Sequence, residues 1–293
     1  MILFSQLIKI TGHIFFVITI IFFSTLHAKN IDKFNKANNI ANYFSGILLL
    51  NESKYSESYE YLRKLDGLEQ SHESYSSKYL YSLVNSGKFN QAFKYAKKLE
   101  KEDQDSFESD LIIGIYHIKN SNLDLSKKFF SKAKKRKSRS ILDIYVAESL
   151  YILSNLENEK LEKSLLKIKK LDNRFDNLKK IKKTFVHCYF NSDKTETLYN
   201  ELVTDRKTDF SRYNYFYAKY LVRNGKSKEA KKIIENSLAK YPRNLLLNQY
   251  KLDLESSEQN FDFNCKKKEN LAAELLYIAA NALSSQSIYP LSN

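Results

Sequence analysis

The sequence predicts an all-α fold, an α-solenoid of antiparallel helix pairs. Three observations carry that expectation. Glycine and proline number only 6 and 2 in 293 residues, too few to punctuate the turns of a β-sandwich or barrel. Leucine, lysine, glutamate, tyrosine and phenylalanine run in long stretches between them. Residue sizes also return with a 34-residue period, which a generic helical bundle has no reason to show.

The period is plainest at the large residue that opens each second helix: Tyr55, Phe89 and Leu123. Three residues on is a small one, Ser58, Ala92 or Ser126. Four further on come Leu62, Ala96 and Phe130, and nine before the opener come Gly46, Leu80 and Gly114. Small residues at fixed points let two helices approach, and large ones fill the space between pairs. The register returns at residues 223–230, a further turn and second-helix start; Ala218 before it and Ala230 within it take small positions, and Ile234 after it a large one. Pro242 stops the helix that follows. Between these regions, helices are expected over 141–153, 161–171, 178–189 and 195–202, without the glycine turn.

Over residues 39–255 this pattern resembles the tetratricopeptide repeat family. The resemblance implies a right-handed superhelix whose concave face is built by the first helix of each pair. It also implies protein or peptide binding. The chain is similar to the amino-terminal half of exported alphaproteobacterial proteins of this family, in which an alanine-rich helix leads into further repeats.

The two ends differ from the middle. Residues 1–28 carry Lys9, an apolar run over 14–23 and Ala28, the order of a secretory signal peptide. An uncleaved membrane anchor over 7–26 is the alternative. Either places the chain outside the cytoplasm, periplasmic or anchored facing the periplasm; a buried first helix, the third reading of the segment, does not. Residues 256–270 form a polar break. The alanine-rich helix over 271–283 is apolar on most sides, begins a further and truncated repeat, and needs a partner to cover it.

The chain carries no recognisable catalytic, metal or cofactor motif. His13, His27, His72, His117 and His187 lack the i,i+4 pairing of a metal site, and the glycines are too dispersed for a phosphate loop. Cys188 and Cys265 stand apart in sequence. Buried free thiols are the expectation, a disulfide between them the alternative.

Two surfaces are candidates. Tyr75, Tyr79, Tyr213, Tyr217 and Tyr220 fall on first helices at spacings that cannot all point inward, which suits peptide contact. Lys127, Lys128, Lys135, Arg136, Lys167 and Lys170 belong to two basic runs in a chain of net charge +14. They suit an anionic partner, a membrane surface or acidic peptide, against the plainer alternative of a hydrated convex face. Export argues against nucleic acid, and nothing points to a small-molecule substrate. The expected function is therefore a non-enzymatic scaffold or adaptor of the cell envelope. The helical region of a murein-processing enzyme and a membrane-tethered structural component are the alternatives.

Overall fold

The computed structural model describes residues 37–136, 140–205, 207, 210–256 and 263–285. The predicted leader, 1–28, lies outside them. The described residues are all-α, with no β-strand among them. The chain divides into two compact units, residues 1–113 and 114–292.

The first unit holds α1 (Ala37–Asn51), α2 (Tyr55–Leu62), α3 (Glu73–Asn85) and α4 (Phe89–Lys101). The start of α5 (Phe107–Lys119) closes it, and the division falls within that helix. The second unit continues with α6 (Leu123–Lys135), α7 (Ile141–Ser154), α8 (Leu161–Lys169) and α9 (Asp176–Tyr189). Then come α10 (Thr195–Thr204), α11 (Tyr213–Arg223), α12 (Ser227–Lys240), α13 (Leu245–Ser256) and α14 (Lys268–Ser285). Within each unit, helices adjacent in sequence pack against each other. The exception is α14, which returns to lie on α7.

The expected openers Tyr55, Phe89 and Leu123 are the first residues of α2, α4 and α6. The small residues Ser58, Ala92 and Ser126 have no exposed surface. The sizes are matched across pairs 16 residues apart. Gly46 faces Leu62 so closely that a Cβ would lie 2.6 Å from the leucine side chain, and Gly114 would meet the Phe130 ring at 2.4 Å. Where the first member is large, the second is small, as with Leu80 and Ala96. Ala218 and Ile234 return to small before large, and all eight of these residues are buried. The approach at Gly46 also lets the Ser58 hydroxyl donate to the Gly46 carbonyl at 2.8 Å.

The turns repeat as well. Ser53, Gly87 and Ser121 adopt left-handed backbone at 34-residue intervals, as do Asn191 and Gly225. Each precedes an amide that bonds back across the helix end: Lys54 to Leu49, Lys88 to Leu83, Asn122 to His117, Ser192 to His187 and Lys226 to Leu221, at 2.8–3.0 Å. This is the Schellman closure, which satisfies carbonyls that a helix end leaves unpaired. Asn191 shows why the middle lacked a glycine signal: asparagine tolerates the left-handed conformation. The period slips near Asn155, whose backbone stays right-handed (φ −99°). A 3-10 turn at Leu156–Asn158 intervenes there before α8.

Gly114→Ala tests the close approach. The added methyl must displace the Phe130 ring, an overpacking that costs about 1–3 kcal/mol. Urea unfolding should show that loss, and Gly114→Ala with Phe130→Leu should recover part of it.

Candidate functional site

Three helices of the later unit, α7, α9 and α11, contribute to one surface. α14 starts at the carboxyl-terminal ends of α7 and α9. Lys268 pairs with Glu157, just past α7, and its ammonium lies 6.0 Å from the centre of the Tyr189 ring at the end of α9. Glu269 accepts from the Ser121 hydroxyl at 2.8 Å. Farther along, Glu274 reaches the start of α11. Arg212 grips its carboxylate with two bonds, Nε at 3.0 Å and Nη2 at 2.9 Å, and the Tyr213 hydroxyl donates at 3.2 Å. The Arg212 guanidinium also stacks 4.0 Å from the Tyr277 ring centre. α14 thus lies in a groove formed by α7, α9 and α11.

The groove floor is apolar. Leu271, Leu275 and Ile278 of α14 meet Tyr145 and Leu153 of α7 and Leu178, Ile181 and Phe185 of α9, leaving a gap of only about 20 Å³. Full burial of Leu271 and Leu275 stabilises by roughly 1.5–3 kcal/mol apiece. This corrects the expectation that the alanine-rich helix needs an outside partner. Leu271, Ala272, Leu275 and Ala279 are buried within the chain's own second unit.

One ionisable group sits under this helix. Lys182 of α9 is buried, donates to the Ser149 hydroxyl, and holds its ammonium 4.4 Å from the centre of the Tyr145 ring. Burial pushes the Lys182 amine well below the ordinary lysine range, against a smaller opposing pull from Glu148. Burial likewise raises the Tyr145 phenol, and with the Glu274 charge it raises that of Tyr213.

The linker into α14 is covalently fixed. Cys188, near the end of α9, and Cys265 form a disulfide, which corrects the expectation of free thiols. Seventy-seven residues separate them, so only the fold brings them together. Next to it, Phe263 inserts between Phe185 and Phe216, with ring centres 5.3 and 4.5 Å away. The adjacent His187 points elsewhere. Its Nδ1 lies 2.9 Å from the Ser192 hydroxyl, and burial lowers its pKa.

The predicted tyrosines divide. Tyr75, Tyr213 and Tyr217 are buried, so they pack the interior instead of lining an open surface. Tyr75 donates to the Leu62 carbonyl at 2.9 Å, and Tyr217 stacks on Tyr199 at 5.5 Å. Tyr79 and Tyr220 remain half-exposed. Burial and the neighbouring Tyr59 push the Tyr79 phenol up to about 12.

The predicted basic residues come together better. Lys127, Lys128 and Lys135 share a shallow cleft of about 520 Å³ with Asp124, Lys132 and Tyr151. The ammonium groups of Lys134 and Lys167 sit 4.7 and 5.3 Å from the Tyr151 ring centre. Lys167 is also paired with Glu159. Arg136 is half-buried at the end of α6 and Lys170 is exposed after α8, neither lining the cleft. Tyr151 is two residues from both Ser149 and Leu153, about 200° around α7, so this cleft and the groove lie on opposite faces of that helix. Among the described residues no cluster of His, Cys, Asp or Glu is placed to hold a metal, and no helix is long and apolar enough to cross a membrane.

No family model matches the chain, and no curated protein matches it.

Two measurements probe the groove. In a double-mutant cycle, Arg212→Met alone should cost about 2 kcal/mol or more, because it strands the buried Glu274. Arg212→Met with Glu274→Gln should cost less than the sum of the single changes. The second concerns Lys182. Its lowered folded pKa means that the unfolded chain binds more protons, from that lowered value up to the ordinary one near 10.5. Stability should therefore rise with pH across that window. Lys182→Met should flatten the rise and raise the urea midpoint at pH 7, by the equivalent of about 1 kcal/mol, the difference shrinking toward pH 10.

Proposed function

We propose that the chain is a non-enzymatic scaffold of tetratricopeptide-type hairpins that binds an amphipathic helix of a partner protein in the groove of α7, α9 and α11. The observation that carries this is α14 itself. It occupies the groove as a helix, apolar side down, with Glu274 held by Arg212 and Tyr213. Helix-in-groove recognition uses those parts: leucines at one-turn spacing for affinity and a charged pair for register. The 34-residue recurrence of turns and size-matched pairs supports the tetratricopeptide assignment. The disulfide supports an exported chain, since such bonds persist in oxidising compartments.

The basic cleft around Tyr151 supports a second contact, with an anionic membrane surface. Its lysines face away from the groove, so a scaffold docked through them turns the groove away from the membrane. Sedimentation with vesicles should detect it. Binding should require anionic lipid and fall with salt. Reversing Lys127, Lys128, Lys132 and Lys135 to glutamate should abolish it.

The groove is tested by a photo-crosslinking residue at Leu178, in its floor, in intact cells. Adducts to another protein are expected. Crosslinks confined to the chain's own α14, with and without treatment of the cells with a dithiol, would overturn the assignment.

A further inference from the structure

We infer that the groove of α7, α9 and α11 is a redox-gated exchange site: α14 is its resident occupant, the Cys188–Cys265 disulfide holds it there, and reduction lets a partner helix of the same chemistry take its place. The inference rests on the groove binding helices.

The partner's chemistry is written in α14. Leu271, Leu275 and Ile278 fill the floor, and Glu274 on the same side meets Arg212 and Tyr213. A competing helix needs apolar residues at i, i+4 and i+7 and a carboxylate at i+3. The carboxylate is specified by charge, because Arg212 opposite it is only about a third exposed. A neutral or basic residue there leaves a largely desolvated cation without its counterion.

The disulfide sets how hard α14 is to displace. With the bond intact, α14 is tethered three residues away, Cys265 to Lys268, which reaches about 10 Å. Without it, the tether runs twelve residues from Ser256 at the end of α13, a reach of about 40 Å. Effective concentration falls with roughly the −3/2 power of tether length, so α14 competes on the order of tenfold less well after reduction.

The bond is approachable. It forms part of the wall of an open cleft of about 410 Å³, with Arg223 and Lys266 at its edge. Cys188 is buried, whereas Cys265 is half-exposed. Cationic neighbours favour the approach of a thiolate and stabilise the thiolate that leaves. The reductant is a dithiol. One of its thiolates attacks the Cys265 sulfur, the S–S bond breaks, and Cys188 leaves as a thiolate that takes a proton. The second thiol of the reductant then displaces Cys265 from the mixed disulfide. Two electrons and two protons pass to the chain, which ends with two thiols while the reductant becomes a disulfide.

The test uses the full chain and a fluorescent synthetic peptide of residues 268–285, followed by anisotropy. The chain is compared oxidised, reduced, and as Cys188→Ser with Cys265→Ser without reductant, with circular dichroism on each. The reduced chain and the serine variant should bind the peptide about tenfold more tightly than the oxidised chain. A peptide carrying Glu274→Arg should lose that binding. Equal affinity in all three states overturns the gate and leaves the groove function standing. No binding in any state, with the helical signal intact, overturns both. Undiminished binding of the Glu274→Arg peptide overturns the proposed recognition. Loss of helix in both the reduced chain and the serine variant also overturns the gate, since the bond is then needed for folding itself.

Discussion

Two helices can lie side by side at close range only where one of them gives up its side chain. Gly46 against Leu62 and Gly114 against Phe130 are that contact in its most restrictive form, because a single methyl would fall inside the neighbouring side chain. The Schellman closures act on the same geometry from the other end. Each fixes the left-handed residue at which the chain reverses, and so the angle at which the next helix returns. Within the second unit, this regular reversal brings α7, α9 and α11 to one side, where their exposed faces make a bed for another helix.

What fills that bed is held by unlike forces. Leu271 and Leu275 supply burial without direction. Glu274 supplies direction: its carboxylate meets a guanidinium fork and a phenol, and sliding α14 by one turn would forfeit all three bonds. Lys182 works differently. An amine beneath leucines is an unfavourable choice by solvation alone, and its hydroxyl and ring partners offset only part of that cost. The disulfide then adds a covalent restraint where α14 begins.

The net charge of +14 is not spread evenly over function. Lys182 and Lys268 are buried inside the second unit, while Lys127, Lys128, Lys132 and Lys135 gather around Tyr151 in the open. Aromatic faces help both groups, since the face of a ring attracts an ammonium. α7 therefore separates two environments: a closed, mostly apolar groove on one face and a hydrated cationic cleft on the other.

The helices and their pairing were legible from one-dimensional spacing, because small and large residues at 34-residue intervals report directly on the local approach of neighbouring helices. The lysines of the cleft were also legible as a cluster, since four of them share α6 and need no long-range contact to meet. The site itself was not. Tyr75, Tyr213 and Tyr217 carry a hydroxyl that reads as surface chemistry, yet each is buried in the packed interior, as periodicity along one helix does not reveal. Cys188 and Cys265, Arg212 and Glu274, and Ser149 and Lys182 lie 77, 62 and 33 residues apart. The sequence by itself determined which segments are helical and, where the 34-residue period holds, where they reverse, for those are settled within a few turns of chain. Only the tertiary structure decided that α14 folds back into the groove, because that choice depends on apolar faces and charges that meet only after the intervening helices have packed.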